Sequence, residues 1–554
     1  MSVTSTAPIY PKLLRLITPQ NTRICPSFLH HLATEPPPPT EIPPPSVVAQ
    51  VADILKTNDE ESWRTNCQLN HLLFSNSSPV SSHYFLQITR QLGNSDTAFK
   101  FLQYLHSSSP SPEAASLSST FQAICELAGR EPNSQNKLLA LLNTSKELNV
   151  PLTINCAISL IRLFGRAKMV NDSMIVYNEL DQSLRNTHVR NVLIDVLLRC
   201  GQLDNALKVL DEMLQTAAEF PPNGNTGDIV FAGLLKFEKY ERSVKEEEIV
   251  ELVSKFGNYS VFPDSMRLTQ LITKFCRHRK SERAWDLLHV VMESGGPVEV
   301  PSFNALLTGL GRVAEVEKMN LLMKEMKEKG IIPNVVTFGI VINHLCKSRR
   351  LDQAQEVLEK MRDGEDGVSV KPDVVIYNTL IDGLCKIGRQ EEGLTLIDRM
   401  RSDDHCEPNT ITYNCLIDGF CKAGELDRAH ELFIAMNGSG VQPNVITINS
   451  LVDGMCRHGR ISSAIEFFNK MKDKGLEGNE VTYTTLISAF CNVNNINKAL
   501  DLFHVMREKC RPDAIVYFTL ICGLSQAGRV DEASSIASQM KKMDLCQTLG
   551  ATMY

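Results

Sequence analysis

Val375-Ile376-Tyr377-Asn378-Thr379-Leu380-Ile381-Asp382-Gly383-Leu384-Cys385-Lys386 is followed, 36 positions on, by Ile411-Thr412-Tyr413-Asn414-Cys415-Leu416-Ile417-Asp418-Gly419-Phe420-Cys421-Lys422. The same frame recurs in seven abutting units, 300–334, 335–373, 374–409, 410–444, 445–479, 480–513 and 514–548, of 35, 39, 36, 35, 35, 34 and 35 residues. A further good copy is 265–299, and another starts near Thr187, with Asn191, Arg199, Ala206 and Met213 in frame. Weaker copies lie at 79–114, 115–153, 154–186 and 228–264, for twelve or thirteen in all. A period near 35 is the mark of a stacked-repeat architecture. In each unit the apolar residues first recur at helical spacing, as in Tyr413, Leu416, Ile417 and Phe420. A glycine then ends the helix: Gly388, Gly424, Gly459, Gly528. An acidic or small polar residue opens a second helix (Asp352, Glu391, Asp427, Ser462, Asn497, Asp531), which carries a small residue such as Ala354, Ala429, Ala464, Ala499 or Ala533. The second helix ends near a methionine, from Met326 to Met540, and a proline such as Pro333, Pro372, Pro408, Pro443 or Pro512 blocks its continuation. One such hairpin cannot bury both of its apolar faces, but stacked copies can. The expected fold is therefore all-α: an α-solenoid of helix-turn-helix units with a long concave groove.

The rest of the chain is bounded by composition. It has 554 residues, 43% of them hydrophobic and 22% charged, enough to bury a core over most of its length. No run approaches 18 apolar residues, so no membrane span is expected. With 57 Lys+Arg against 64 Asp+Glu the formal charge is −7, which excludes a uniformly basic coat but leaves room for a local basic stripe. The 16 cysteines are too sparse for a small disulfide scaffold. Residues 1–34 hold Lys12, Arg15 and Arg23, no acidic residue and many Ser and Thr. That composition predicts a cleaved organellar transit peptide, with the Leu/Arg-rich stretch at 12–17 favouring the mitochondrion over the chloroplast. Pro36–Pro39 and Pro43–Pro45 form a stiff linker expected to precede all folded structure. The expected organisation is transit peptide and linker (1–45), leader (46–78), degenerate repeats (79–264), well-formed repeats (265–548) and a tail (549–554).

The V-x-[TV]-Y-N-x-L-I-x-G-x-C-K … M … P-[DN] frame resembles the pentatricopeptide repeat in its plain 35-residue type, strongly over 265–548 and weakly over 79–264. The related tetratricopeptide repeat, a protein-binding module, is less similar, because its W-x2-L-G-x2-Y signature is missing. The resemblance implies a non-catalytic, sequence-specific reader of single-stranded RNA, one base per repeat. It makes the fifth and the last residue of each unit the base readers, with the second residue flanking the base. Asn carries both a donor and an acceptor to match a base edge. The implied readers are Asn304 with Asn334, Asn378 with Asn409, Asn414 with Asn444, and Asn449 with Asn479, each pair implying a pyrimidine; Thr484 with Asp513 implies guanine. Gly339 with Asp373 is left unread, and Thr269/Glu299 and Phe518/Thr548 depart from the pattern. The implied core target is 5′-YNYYYG-3′. The same Asn residues are also favoured at helix entry as caps. The flanking residues are Val336, Val375, Ile411, Ile446, Val481 and Ile515, which also suit packing between repeats. A third column, Arg199, Arg277, Arg312, Lys347, Lys386, Lys422 and Arg457, recurs at one position of successive first helices. It forms either a phosphate-contacting stripe or a solvated face.

Other signals are set aside. Cys276, Cys346, Cys385, Cys421, Cys456 and Cys491 share one repeat position and read as small packing residues, and no C-x-x-C occurs, so no metal site or cofactor is expected. His405-Cys406-Glu407 matches H-x-E but has no C-x-x-C partner. Gly309-x-Gly311-x-x-Ala314 has no preceding strand and lies in the repeat frame. Tyr377, Tyr413, Tyr483 and Tyr517 read as core rather than as stacking platforms. No nucleophile–base constellation presents itself, so no enzyme activity is expected. The last unit lacks a proline after Met540 and leaves the pattern, as in a shortened array or one that docks a partner there. The expected function is RNA binding in an organelle in support of stability, processing, splicing or translation, with recruited RNA-processing proteins as further partners. The alternative is a scaffold that binds protein partners through the same groove.

Overall fold

The computed structural model describes residues 45–543 apart from 75–81, 109–113, 132–133, 149, 216–217, 237–243, 365–368 and 403–405. The stretch 1–34 expected to be a transit peptide, His405, Thr548 and the tail 549–554 fall outside the described residues. Every regular element among the described residues is helical. The backbone divides into two compact units, Met1–Val196 and Leu197–Tyr554.

In the first unit, helices Pro45–Thr57, Glu60–Thr65 and Cys67–Phe74 precede three hairpins. These are Ser82–Leu92 with Ser95–Ser107, Ala114–Ala128 with Ser134–Glu147, and Ile154–Arg166 with Val170–Glu179. The last proline of the linker opens the first helix instead of preceding it. A prolyl ring is tolerated there because the first turn of a helix has no use for its missing N–H. The segment 46–78, unread from the sequence, buries Val51, Leu55, Leu69 and Leu73. Trp63 is also buried, and its indole N–H reaches Asn58 O at 3.0 Å.

The second unit carries Leu203–Met213, then Gly224–Leu234 with Glu246–Gly257, then eight regular hairpins. Their first helices are Ser265–Arg277, Val300–Arg312, Val335–Lys347, Val374–Lys386, Thr410–Ala423, Val445–Arg457, Glu480–Asn492 and Ala514–Gln526. Their second helices are Ser281–Glu293, Val316–Glu328, Leu351–Asp363, Gln390–Ser402, Leu426–Gly438, Ile461–Asp473, Ile496–Lys509 and Val530–Lys542. Each first helix packs on the next first helix and on its own second helix, whereas from Val316–Glu328 onward successive second helices meet only sparsely. Close packing on one row and looser packing on the other curves this unit, with the first helices on the inside: an α-solenoid.

Two details explain the frame. Position ten is glycine in the first helices starting at Val300, Val374, Thr410, Val445 and Ala514, because the cysteine of the preceding first helix fills its place. A Cβ on Gly419 would lie 2.7 Å from Cys385 Sγ, one on Gly454 2.5 Å from Cys421 Cβ, and one on Gly523 2.7 Å from Cys491 Sγ. Gly309 receives Cys276 in the same way and Gly311 receives the His344 ring, so the G-x-G resemblance is helix packing. Burial holds the Cys276 and Cys491 thiols up at about 11 and those of Cys346, Cys385, Cys421 and Cys456 at about 12, well away from thiolate reactivity. Tyr377, Tyr413, Tyr483 and Tyr517 are buried in the core.

The second detail is a correction. The acidic residues at the start of the second helices do not cap them: these helices carry Arg350, Glu425, Arg460 or Asn495 at the cap position, with no side-chain cap bond. The acids accept instead from the next repeat. Lys318 reaches Glu282 at 2.7 Å, Arg350 reaches Glu317 at 3.2 Å, Arg389 reaches Asp352 at 2.7 Å and Arg460 reaches Asp427 at 3.0 Å; Arg283–Glu247 and Arg428–Glu391 pair alike. A surface ladder thus ties the N-terminal ends of successive second helices. Each rung is exposed and worth no more than about 1 kcal/mol.

Candidate nucleic-acid interface

In each first helix, positions 2, 5, 9 and 13 are spaced by three or four residues and so share one face. Val375, Asn378, Asp382 and Lys386 form such a stripe, on the side away from the buried Tyr377, Leu380, Ile381 and Leu384. The position-2 residues Val336, Val375, Ile411, Ile446, Val481 and Ile515 are between 52% and 67% exposed. They do not pack between repeats. They stand out as a row of apolar side chains with one face open, which is costly unless something covers it.

Beside this row the fifth and last residues meet. Asn378 Nδ2 donates to Asn409 Oδ1 at 3.3 Å, Asn414 Nδ2 to Asn444 Oδ1 at 3.3 Å, and Asn449 Nδ2 to Asn479 Oδ1 at 3.1 Å. Asn409, Asn444 and Asn479 are also the N-caps of the following first helices, as is Asn334. In each case the Asn Oδ1 accepts from the backbone N–H three residues on, and the threonine there accepts from the Asn backbone N–H. Cap and reader are therefore compatible roles, divided between the two atoms of one amide: the oxygen faces the helix and the nitrogen faces outward. Among the described residues nothing else takes the Nδ2 of Asn409, Asn444 or Asn479.

The remaining implied pairs differ. Asn304 does not meet Asn334, and its Oδ1 is buried without a partner. Gly339 leaves an opening: a Cβ there would touch only Ile376 Cγ1, at 3.7 Å. Thr484 turns its hydroxyl to Glu480 O at 2.7 Å, and Asp513 caps its helix through Val516 N at 2.9 Å. Burial and then the Asp513 charge raise the Glu480 carboxyl above its usual range. Thr269 bonds Ser302 at 3.0 Å rather than Glu299.

The basic column is exposed throughout but divides in two. Lys386 pairs with Asp382 at 2.6 Å, Lys422 with Asp418 at 2.6 Å and Arg457 with Asp453 at 2.7 Å, each one turn back on the same helix. Arg277, Arg312 and Lys347 have Thr273, Thr308 and Asn343 at that place and no ion pair with an acid among the described residues. Sequence reading missed these aspartates, although the i, i+4 spacing carries the signal. It also missed a role for the threonines at position 3, Thr337, Thr412, Thr447 and Thr482. Among the described residues no group of three His, Cys, Asp or Glu is placed to hold a metal ion, and no helix is long and apolar enough to cross a membrane.

A curved stack of helical hairpins that presents an open apolar side chain at six steps and an amide pair at three of them is a helical-repeat array. The family model for the PPR repeat family matches residues 298–347, 372–421, 408–457, 443–492 and 479–525, and the PPR repeat model matches 189–215, 336–364 and 516–545. The chain carries pentatricopeptide repeats. It is 45% identical over 329 residues to the Arabidopsis thaliana pentatricopeptide repeat-containing protein At5g28460, covering 59% of this chain and 42% of that protein. The same figures hold for At3g61520 of Arabidopsis thaliana, which is named mitochondrial. The chain thus spans less than half the length of these two relatives. Among solved structures it is similar to the pentatricopeptide repeat protein PPR10 in complex with an 18-nt psaJ RNA element, at 18% identity and a TM-score of 0.40 over 90% of this chain and 87% of that one.

Proposed function

We propose that this chain binds single-stranded RNA in a sequence-specific manner, one base per repeat, without catalysing a reaction. The observation that carries the reading is the register of three identical Asn–Asn pairs, each beside an open apolar side chain, at one pair per helical step. An unpaired base offers a flat face to the apolar residue and a hydrogen-bonding edge to the amides. The outward Nδ2 groups are donors, and both pyrimidines carry the O2 acceptor that complements them. Asp513, an acceptor when ionised, complements the N1–H and N2–H of guanine. The target is 5′-YNYYYG-3′, held also through phosphates by Arg312, Lys347, Lys386, Lys422 and Arg457. The bound protein would protect an organellar transcript or recruit processing, splicing or translation factors to it. The acid-free N-terminal composition supports a mitochondrial address, with the chloroplast as the alternative.

The test is selection of random single-stranded RNA by the full chain. Enrichment of 5′-YNYYYG-3′ is the expected result. Absence of any enriched RNA from folded protein favours a scaffold for protein partners instead. Asn414→Ala with Asn444→Ala should weaken a matched RNA by about tenfold more than an RNA already mismatched at that base; equal losses on the two RNAs count against the assignment.

A further inference from the structure

The threonines three residues after the capping Asn409, Asn444 and Asn479 touch more than their own caps. Thr412 Oγ1 donates to Asn378 Oδ1 at 2.6 Å, Thr447 Oγ1 to Asn414 Oδ1 at 2.7 Å, and Thr482 Oγ1 to Asn449 Oδ1 at 2.5 Å. In each case the hydroxyl of one repeat reaches back to the fifth residue of the repeat before it. We propose that Thr412, Thr447 and Thr482 are specificity-determining positioning residues, each fixing the amide of the preceding Asn reader so that it shows N–H, and not C=O, to the base. The proposal rests on the RNA reading given above.

The chain of bonds allows one arrangement. The backbone N–H groups at the start of helix Thr410–Ala423 require the Asn409 oxygen to face inward. Asn378 must then turn its Nδ2 toward that oxygen. Its own Oδ1 points at the Thr412 hydroxyl, which accepts from Asn409 N at 3.0 Å and has a single proton, closer to Asn378 Oδ1 at 2.6 Å than to Asn409 Oδ1 at 3.2 Å. The oxygens of Asn378 and Asn409 are both consumed, and what remains outward is donor only. Asn378 and Asn414 are 8% and 9% exposed, so an oxygen there without a donor would be an unsatisfied buried acceptor and would drive the amide to rotate.

The molecule contains its own comparisons. Where the fifth residue is Gly339 or Thr484, the following repeat has Ile376 or Val516 in place of threonine, and no hydroxyl is supplied where no amide needs one. In unit 300–334 the latch is open: Thr337 Oγ1 lies 3.0 Å from the Oδ1 of its own cap Asn334, a contact that Thr412, Thr447 and Thr482 also make at 3.2 Å, but it gives no bond to Asn304, whose oxygen is left buried without a partner.

The test uses the full chain with an RNA built on 5′-YNYYYG-3′ and variants with adenine at one step. The preference for pyrimidine over adenine is measured at the third, fifth and first bases, which face units 374–409, 445–479 and 300–334. Thr412→Val keeps the shape and removes the hydroxyl. It should reduce the preference at the third base by about tenfold and leave that at the fifth base unchanged. Thr412→Ser should restore it. A uniform loss on every RNA, the mark of a cap that only supports the helix, would overturn the proposal. The second measurement needs no variant: the wild-type preference should be weaker at the first base, where the latch is open, than at the third, and equal preferences would overturn the proposal. A wild-type chain indifferent to the base at all of these steps removes the RNA reading itself, and the positioning role with it.

Discussion

Where a unit ends in asparagine, the proposed base contact and the helix cap can share one side chain because its amide has two ends. Capping consumes the oxygen of Asn409, Asn444 and Asn479 and leaves the nitrogen, so the recognition edge follows from the same bond that starts the next helix. Glycine at position 5 shows the converse. Gly339 has neither a reader nor an obstacle, since only Ile376 Cγ1 lies within reach of an added Cβ. Gly339→Asn should therefore be accommodated in helix Val335–Lys347 and give the second base of the target a preference that the wild-type chain lacks, about tenfold by the worth of one good base contact. Competition among four RNAs differing only at that base measures it. An unchanged profile from folded protein would mean that the backbone at this step does not approach the base.

Between the two helices of each of the eight regular hairpins the chain passes through a left-handed residue. Glycine holds this place at Gly388, Gly424, Gly459 and Gly528, with φ between 75° and 85°. Arg279, Ala314, Arg349 and Asn494 hold it at φ of 56° to 60°. A side chain there crowds its own carbonyl, at a cost of about 1 kcal/mol. The good hairpins are thus not equally stable, and the strained ones include the repeat that holds Gly339, through Arg349, and the repeat before it, through Ala314. Arg349→Gly should stabilise the hairpin of Val335–Lys347 and Leu351–Asp363 by about 0.5–1 kcal/mol, and Gly424→Ala should destabilise that of Thr410–Ala423 and Leu426–Gly438 by about 1 kcal/mol or more. Hydrogen exchange resolved by helix is the suitable readout, because a repeat array opens locally and a single melting midpoint would average over units.

Over the second compact unit, charge is distributed unevenly along the recognition face. The bare cations Arg277, Arg312 and Lys347 precede the paired Lys386, Lys422 and Arg457, whose aspartates lie one turn away. A chain of net charge −7 can bind a polyanion only through such local stripes, and half of this one is held in check. Replacing Asp382, Asp418 and Asp453 together by Asn should free three cations. Affinity for single-stranded RNA should rise, and the plot of log K against log salt should steepen by up to about 0.7 for each cation released. The loss of three exposed i, i+4 pairs should lower stability by no more than about 0.5 kcal/mol each. No change in the salt slope would show that the column does not meet phosphates.

Much of this protein was legible before any coordinates. The helices, their glycine stops and the unit boundaries follow from spacing within a few residues, and local backbone physics is enough to produce them. The ion pairs of Lys386, Lys422 and Arg457 are equally local and were open to the same reading. The amide pairs were not. Asn378, Asn409 and Thr412 are 31 to 34 residues apart in their bonds, and they meet only because two first helices pack side by side, at a distance set by Cys385 against Gly419. The acids at the start of the second helices tell the same story, since their partners belong to the next repeat. Periodicity specified each hairpin and its place in a stack; the spacing between neighbours, which only packing sets, decided which donors and acceptors remain free to face a ligand.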